Sequence, residues 1–246
     1  MNIRVRENAE ELGKAASRRA ARLIRYHIGK RGEVNIVLAT GTSQFATIAH
    51  LVSEKHVDWT KVRMFHLDEY IGLPIDHPAS FRRYLFERFV KPVKNLMEIY
   101  YISGDAPEPE KECERISEII SRYRVDVSLI GIGENGHIAF NDPPANFSTE
   151  APFIVVNLDE KCRLQQVGEG WFENIDEVPT QAISMSVKQI MRSHSIIASV
   201  PEKRKASAVK ATVGGTVTSS CPASILQLHP RCTLFLDRDS ASCLTE

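Results

Sequence analysis

The chain has 246 residues, 43% hydrophobic and 25% charged. That is ordinary globular composition, and the length allows a substantial core without disulfides or metal. Lys plus Arg and Asp plus Glu number 31 each, so a net charge of zero argues against a nucleic-acid or polyanion partner.

Along the chain, residues 9–29 place Leu12, Ala16, Ala20, Leu23, Ile24 and Ile28 at helical spacing, and Gly32 ends the run. Val34 to Ala39 reads as a buried strand that runs through Thr40-Gly41-Thr42-Ser43-Gln44 into a helix over 45–55. Val62 to Leu67 is a second strand, ending at Asp68-Glu69-Tyr70. A helix over 80–90, a short strand over 97–102 and a charged helix over 108–123 follow. Val125 to Ile132 is another buried strand and ends in a glycine-rich turn. Residues 143–180 carry Pro143, Pro144, Pro152, Gly168, Gly170 and Pro179, which marks them as a mobile flap. Ser195 to Val200 is a strand, 202–213 a helix and 233–236 a last strand.

Strands alternating with helices predict an α/β fold with a mostly parallel sheet covered by helices on both faces. Their continuous apolar runs agree with burial on both sides. The sequence shows no internal repeat and no low-complexity linker, so 1–246 is expected to be a single domain. The N-terminus lacks the apolar stretch of a secretion signal, and no apolar run approaches a membrane span. The five cysteines form neither CxxC pairs nor zinc-type spacing, which fits free thiols in a reducing cytoplasm. The composition is compatible with a homo-oligomer. Arg18-Arg19 reads as a solvated helix face.

In open α/β sheets ligands bind beyond the carboxyl ends of the strands, and three polar clusters stand there. Thr40-Gly41-Thr42-Ser43 precedes a helix, so its amides and hydroxyls suit a phosphate without a metal; small polar residues also make ordinary βα loops. Asp68 and Glu69 offer carboxylates that burial could turn into a general base; the bland alternative is a turn cap and a salt bridge. The segment from Gly131 to His137 contains a formal G-x-G-x-x-G. Pro143-Pro144 ends any following helix too early for a dinucleotide fold. His137 is therefore the feature of interest there, a proton carrier with Asn135 and Asp142 close in sequence. Lys205 follows the strand over 195–200 and could supply a point charge to a phosphate; alone, it would be a solvated basic turn. No G-x-S-x-G elbow and no HExxH motif occur.

Together these segments resemble the glucosamine-6-phosphate deaminase (isomerase) family. The matching pieces are Ala-Thr-Gly-Thr-Ser at 39–43, Phe-His-Leu-Asp-Glu-Tyr-Ile-Gly-Leu at 65–73, His-Pro-Ala-Ser-Phe at 77–81 and Gly-Ile-Gly-Glu-Asn-Gly-His-Ile-Ala-Phe-Asn-Asp-Pro at 131–143. Val-Pro at 178–179, Lys205-Ala206 and Pro-Ala-Ser-Ile-Leu-Gln-Leu-His-Pro at 222–230 continue the match. The resemblance implies a single Rossmann-like domain and a cofactor-free conversion of an amino-sugar phosphate to a ketose phosphate and ammonia. It implies that His137 assists ring opening, that Asp68 moves the proton from C2 to C1, and that Asp142 and Asn135 support the histidine. Thr40, Gly41, Thr42, Ser43 and Lys205 match phosphate-binding positions, and Glu69 and Tyr70 would shape the site.

Three departures stand out. Asn135 replaces an aspartate found in many members, and Thr42 replaces a glycine. The flap lacks an evident phosphate-binding arginine, for which Arg163 is the substitute expected here. The residues Pro152-Phe153-Ile154 and the short tail after the last strand lead to the expectation of no activation by an N-acetyl-sugar phosphate. Galactosamine 6-phosphate remains an alternative substrate. A 6-phosphogluconolactonase reading is disfavoured because Tyr70 stands where that family has arginine. A sugar-phosphate-sensing regulator is disfavoured because no room exists for a DNA-binding module before Val34.

Overall fold

Seven strands form one parallel sheet in the computed structural model, which describes residues 1–244. In chain order the first half comprises β1 (Asn2–Arg6), α1 (Ala9–Arg31), β2 (Val34–Leu38), α2 (Phe45–Val52), β3 (Val62–His66), β4 (Asp68–Tyr70) and α3 (Phe81–Leu85). A π turn over Phe86–Val90 joins α3 to α4 (Lys91–Val93), and β5 (Glu98–Tyr100), α5 (Pro109–Ser121) and β6 (Val127–Ile130) follow. The second half holds β7 (Phe153–Asn157), α6 (Glu160–Gly168), β8 (Gln181–Met185), α7 (Val187–Met191), β9 (Ser195–Val200), α8 (Ala206–Gly214) and β10 (Cys232–Asp237).

The main sheet has the order β1-β10-β9-β6-β2-β3-β5, every neighbouring pair parallel. Each strand of its centre is wholly buried because helices cover both faces. Along β2, Val37 faces one core and Ile36 and Leu38 the other, which is the period-2 alternation of a strand. Each such side chain contributes about 1.5–3 kcal/mol when fully buried. The chain moves outward from β2 through β3 to β5, then returns to β6 and continues through β9 and β10. The order therefore reverses between β2 and β6, and that crevice is where such a sheet receives ligands.

Helix α1 shows how local signals set the frame. Asn8 accepts from the Glu11 amide at 2.9 Å, Glu10 and Glu11 lie in the first turn and Lys30 and Arg31 in the last, and Gly32 closes the helix with φ 81°. Gly13 lets α2 approach, since a β-carbon there would stand 2.4 Å from Ala46 Cβ. Of the pair expected on a solvated face, Arg18 is exposed and Arg19 is partly covered.

A second, three-stranded antiparallel sheet, β4-β8-β7, was not expected. It is tied to the main sheet where the Met185 amide donates to the Leu67 carbonyl at 2.9 Å and the Leu67 amide to Leu38 at 3.2 Å. Asp68-Glu69-Tyr70 is thus a strand rather than a loose strand-end turn. Residues 143–180, the stretch read as least regular, hold regular elements. They contain β7, paired with β8 along its whole length, and the nine-residue helix α6. Prolines and glycines punctuate this stretch only at its joints. Strand β1 was also missed, because an exposed edge strand lacks an apolar run.

Candidate active site

Four carboxyl-end segments meet over the β2/β6 crevice. Ala39 to Ser43 follows β2, Leu67-Asp68 follows β3, Gly131 to His137 follows β6, and Lys205 ends the turn after β9; all contribute to one pocket. Gln165, Gln166 and Glu169 on and after α6 line it as well, and Phe81, Ala139 and Phe140 supply apolar lining.

The first loop is held by buried polar contacts. Gly41 has φ 88°, which favours glycine. Thr42 lies in a 3₁₀ turn, so its β-carbon is accommodated where the family's glycine is usual. Buried Gln44 donates from Nε2 to Ser43 Oγ at 3.1 Å and to the Ile130 carbonyl at 3.2 Å. The Tyr84 hydroxyl donates to the Gly41 carbonyl at 3.1 Å. The loop is therefore pinned to the sheet and to α3, and Thr42 and Ser43 line the pocket.

Asp68 begins β4, 6% exposed, and its Oδ1 finds no hydrogen-bond partner among the described residues. Burial, reinforced by the neighbouring Glu69 charge, pushes its carboxyl up to about 8. A carboxyl poised there can both take and return a proton near neutral pH. Glu69 points the other way. Its carboxylate accepts from the Tyr70, Phe81 and Arg82 amides at 3.0, 3.1 and 2.8 Å and from Ser80 Oγ at 3.1 Å, capping α3. Tyr70 is fully buried, and its ring packs with Phe81, Phe140 and Phe172. Neither Glu69 nor Tyr70 lines the pocket; they build the wall behind it, and the alternating direction of strand residues explains why Asp68 faces in while Glu69 does not.

His137 is 8% exposed and its Nδ1 lies 3.1 Å from Asp142 Oδ1. Asn135 organises both. Its Nδ2 donates to Asp142 Oδ1 at 3.0 Å and to Asp159 Oδ2 at 3.2 Å, while its Oδ1 accepts from the His137 amide at 3.1 Å. Asp142 Oδ2 accepts from the Asp159 amide at 3.2 Å, and Asp159 Oδ1 caps α6 through the Cys162 amide at 2.6 Å. Burial opposes the charge on Asp142, yet His137, Asn135 and the Asp159 amide outweigh it and hold the carboxyl below its usual range. Asp159 was missed in the sequence, since nothing there marks a contact across 17 residues. Cys162 joins His137 and Asp142 in a group whose potential ligand atoms lie within 4.8 Å of one another. Burial, with Asp142 and Asp159 nearby, pushes its thiol well up, so without a cation it stays neutral.

Lys205 is 2% exposed, and burial together with the Arg204 charge brings its ammonium down to about 8. The turn that presents it starts at Glu202 with φ 81°, a strained conformation held by the Glu202 amide donating to both Asp237 oxygens at 3.0 and 3.2 Å. Arg204 donates from Nη2 to Thr42 Oγ1 at 3.2 Å and from Nη1 to Glu134 at 2.9 Å. This guanidinium, not Arg163, is the arginine beside the first loop. Arg163 leaves the pocket and donates to the carbonyls of Ile175 at 2.6 Å and Val178 at 3.1 Å, which pins the segment after α6. The direct contact between Arg204 and Thr42 spans 162 positions of sequence, so only folding reveals it.

The family model described as glucosamine-6-phosphate isomerases/6-phosphogluconolactonase matches residues 7–234. The chain belongs to this family. It is 34% identical over 251 residues to the glucosamine-6-phosphate deaminase of Thermoanaerobacter pseudethanolicus, covering 100% of this chain and 96% of that one. It is 38% identical over 231 residues to the glucosamine-6-phosphate deaminase of Listeria monocytogenes serotype 4a, covering 94% and 96%. Among solved structures, a monomeric glucosamine-6-phosphate deaminase superposes with a TM-score of 0.90 at 31% identity over 99% of this chain and 100% of that one. The 6-phosphogluconolactonase of Trypanosoma brucei shares the fold, with a TM-score of 0.82 at 18% identity over 99% and 98% of the two chains.

Proposed function

We propose that this protein is a glucosamine-6-phosphate deaminase, converting glucosamine 6-phosphate and water to fructose 6-phosphate and ammonia. The observation that carries the reading is the convergence of Asp68, His137 and Lys205, all nearly buried, on one pocket at the sheet's switch point. Whole-length similarity to deaminases supports it.

Lys205 and the 40–43 loop hold the phosphate and so fix the far end of the sugar. His137, positioned by Asn135 and Asp142, takes the proton of the anomeric hydroxyl as the ring opens. Asp68, as carboxylate, removes the C2 proton; the electrons move toward C1, and the same group, now protonated, returns the proton to C1. The ketimine left at C2 is hydrolysed to the ketone, and ammonia departs. The C1 aldehyde freed by ring opening is the electron sink: its oxygen takes the charge and then a proton as the C2 proton leaves, and the amine nitrogen gives its lone pair and loses a proton as C1 is protonated, which leaves the ketimine. The five cysteines are all free thiols, and among the described residues no helix is long and apolar enough to cross a membrane; both support a cytoplasmic catabolic enzyme.

The test is ammonia release from glucosamine 6-phosphate by the wild type beside Asp68→Asn and His137→Gln. Turnover by the wild type that falls in both variants is the expected result. A folded wild type that releases no ammonia would overturn the substrate assignment.

A further inference from the structure

Glu169 is the one carboxylate lining the pocket on the side of Lys205. Its side chain is 6% exposed. One oxygen, Oε1, lies 3.0 Å from Arg204 Nη1 and accepts from Gln165 Nε2 at 2.8 Å. The other, Oε2, accepts from Trp171 Nε1 at 3.3 Å and stands 3.8 Å from where a β-carbon on Gly41 would be. A negative group thus sits over the glycine of the first loop, beside the two cations that an anionic ligand needs. Burial opposes its charge, but Arg204, Lys205 and the two hydrogen bonds outweigh it and hold the carboxyl below its usual range. The group is therefore an anion in place.

Two further facts bear on its role. Arg204 is also claimed by Glu134 at 2.9 Å and Glu202 at 2.5 Å, so Glu169 is not needed to neutralise it. Glu169 lines this pocket together with the 40–43 loop and Lys205, so an anion seated on the loop meets the carboxylate. Glu169 follows α6 directly, and Asp159, which caps α6, also accepts from Asn135 and donates its amide to Asp142.

We propose that Glu169 occupies the anion subsite of the ligand-free protein as a tethered competitor, so that phosphate binding is an exchange of this carboxylate for the substrate's phosphate. The proposal rests on the sugar-phosphate reading above. Its consequence is selectivity. A tethered carboxylate has a high effective concentration, and a doubly charged phosphate can displace it where a singly charged sugar acid or a neutral sugar cannot. Glu169 is in this way a specificity determinant as well as a latch.

The experiment is calorimetric titration of wild type and Glu169→Gln with inorganic phosphate, alongside KM for glucosamine 6-phosphate. Glutamine keeps the shape and can accept from either Gln165 or Trp171 but not both, and Glu169→Ala serves as a second variant should the first fold poorly. The expected result is phosphate binding tighter by roughly tenfold, as for loss of one like charge at contact distance in a partly screened site, with a parallel fall in KM. Unchanged or weaker phosphate binding by folded variants overturns the proposal and makes Glu169 a support for Arg204. If no glucosamine 6-phosphate is turned over yet phosphate affinity rises in the variants, the functional reading fails while the latch stands.

Discussion

Gly133 makes the space in which His137 stands. A β-carbon at position 133 would lie 2.1 Å from Cε1 and 2.3 Å from both ring nitrogens of His137. The two residues are also joined through the backbone, the Gly133 amide donating to the His137 carbonyl at 3.0 Å. The glycine is required by close approach, since it is not among the residues with positive φ. Gly133→Ala is expected to fold and to lose roughly 10²–10⁴-fold in kcat, the range of one displaced acid–base group. Near-wild-type turnover by the alanine variant would remove His137 from the chemistry.

Burial pushes the Asp68 carboxyl up and the Lys205 ammonium down, each to about 8, with opposite consequences. The reaction uses Asp68 as a base, so raising pH toward that value increases kcat/KM. Lys205 holds phosphate as a cation, so raising pH through the same region weakens binding. The expected profile is bell-shaped with a narrow maximum near that pH. Lys205→Met should raise KM at neutral pH and abolish the alkaline limb. A profile flat on the alkaline side in the wild type would contradict the role given to Lys205.

The stability of Asp68 carries its own sign. Its ordinary value is 3.8 and the folded value about 8, so between these pH values the folded chain holds a proton that the unfolded chain has released. Stability is full below the lower value and is lost as pH rises toward the upper one. Asp68→Asn removes this loss. Thermal melts should show the variant gaining on the wild type as pH rises across that window, even as it loses activity. A gap that does not change with pH would mean that Asp68 is ionised in the folded protein.

Asn135→Asp introduces the residue that many family members carry. Here it would place a third carboxylate against Asp142 and Asp159, and would remove the two hydrogen bonds given by Asn135 Nδ2. Stability is expected to fall by about 1–3 kcal/mol, with turnover falling as Asp142 and His137 lose their orientation. An unaltered melting temperature and rate would show that the amide is dispensable.

Arg163→Ala separates binding from support. The guanidinium is engaged with the Ile175 and Val178 carbonyls, so KM for the sugar phosphate should move little. Proteolysis in the segment 170–178 should become faster. A large rise in KM with no change in proteolysis would return Arg163 to the phosphate site.

Much of the site was legible because its parts lie at the ends of buried strands. The apolar runs before Thr40, Asp68 and Gly131 locate the strand ends, and the rule that ligands meet a parallel sheet at its carboxyl edge does the rest. The second sheet was not legible. Its strand β4 reads Asp-Glu-Tyr and pairs with residues over a hundred positions away, so no local pattern announces it. The strand and helix within 143–180 were not legible for the same reason, since β7 is made a strand by its partner β8.

The sequence by itself determined the family, the parallel α/β frame and the identity of Asp68, His137 and Lys205 as the groups to examine. These follow from local periodicity and from short motifs, which are properties of neighbouring residues. Tertiary structure alone decided which neighbour faces the pocket, Asp68 in and Glu69 out, and which arginine reaches the first loop, Arg204 through Thr42 while Arg163 turns to the Ile175 and Val178 carbonyls. It also placed the Glu169 carboxylate over Gly41, 128 positions earlier in the chain (169 minus 41). Facing and long-range approach depend on how strands pair and helices dock, and a linear pattern carries no record of either.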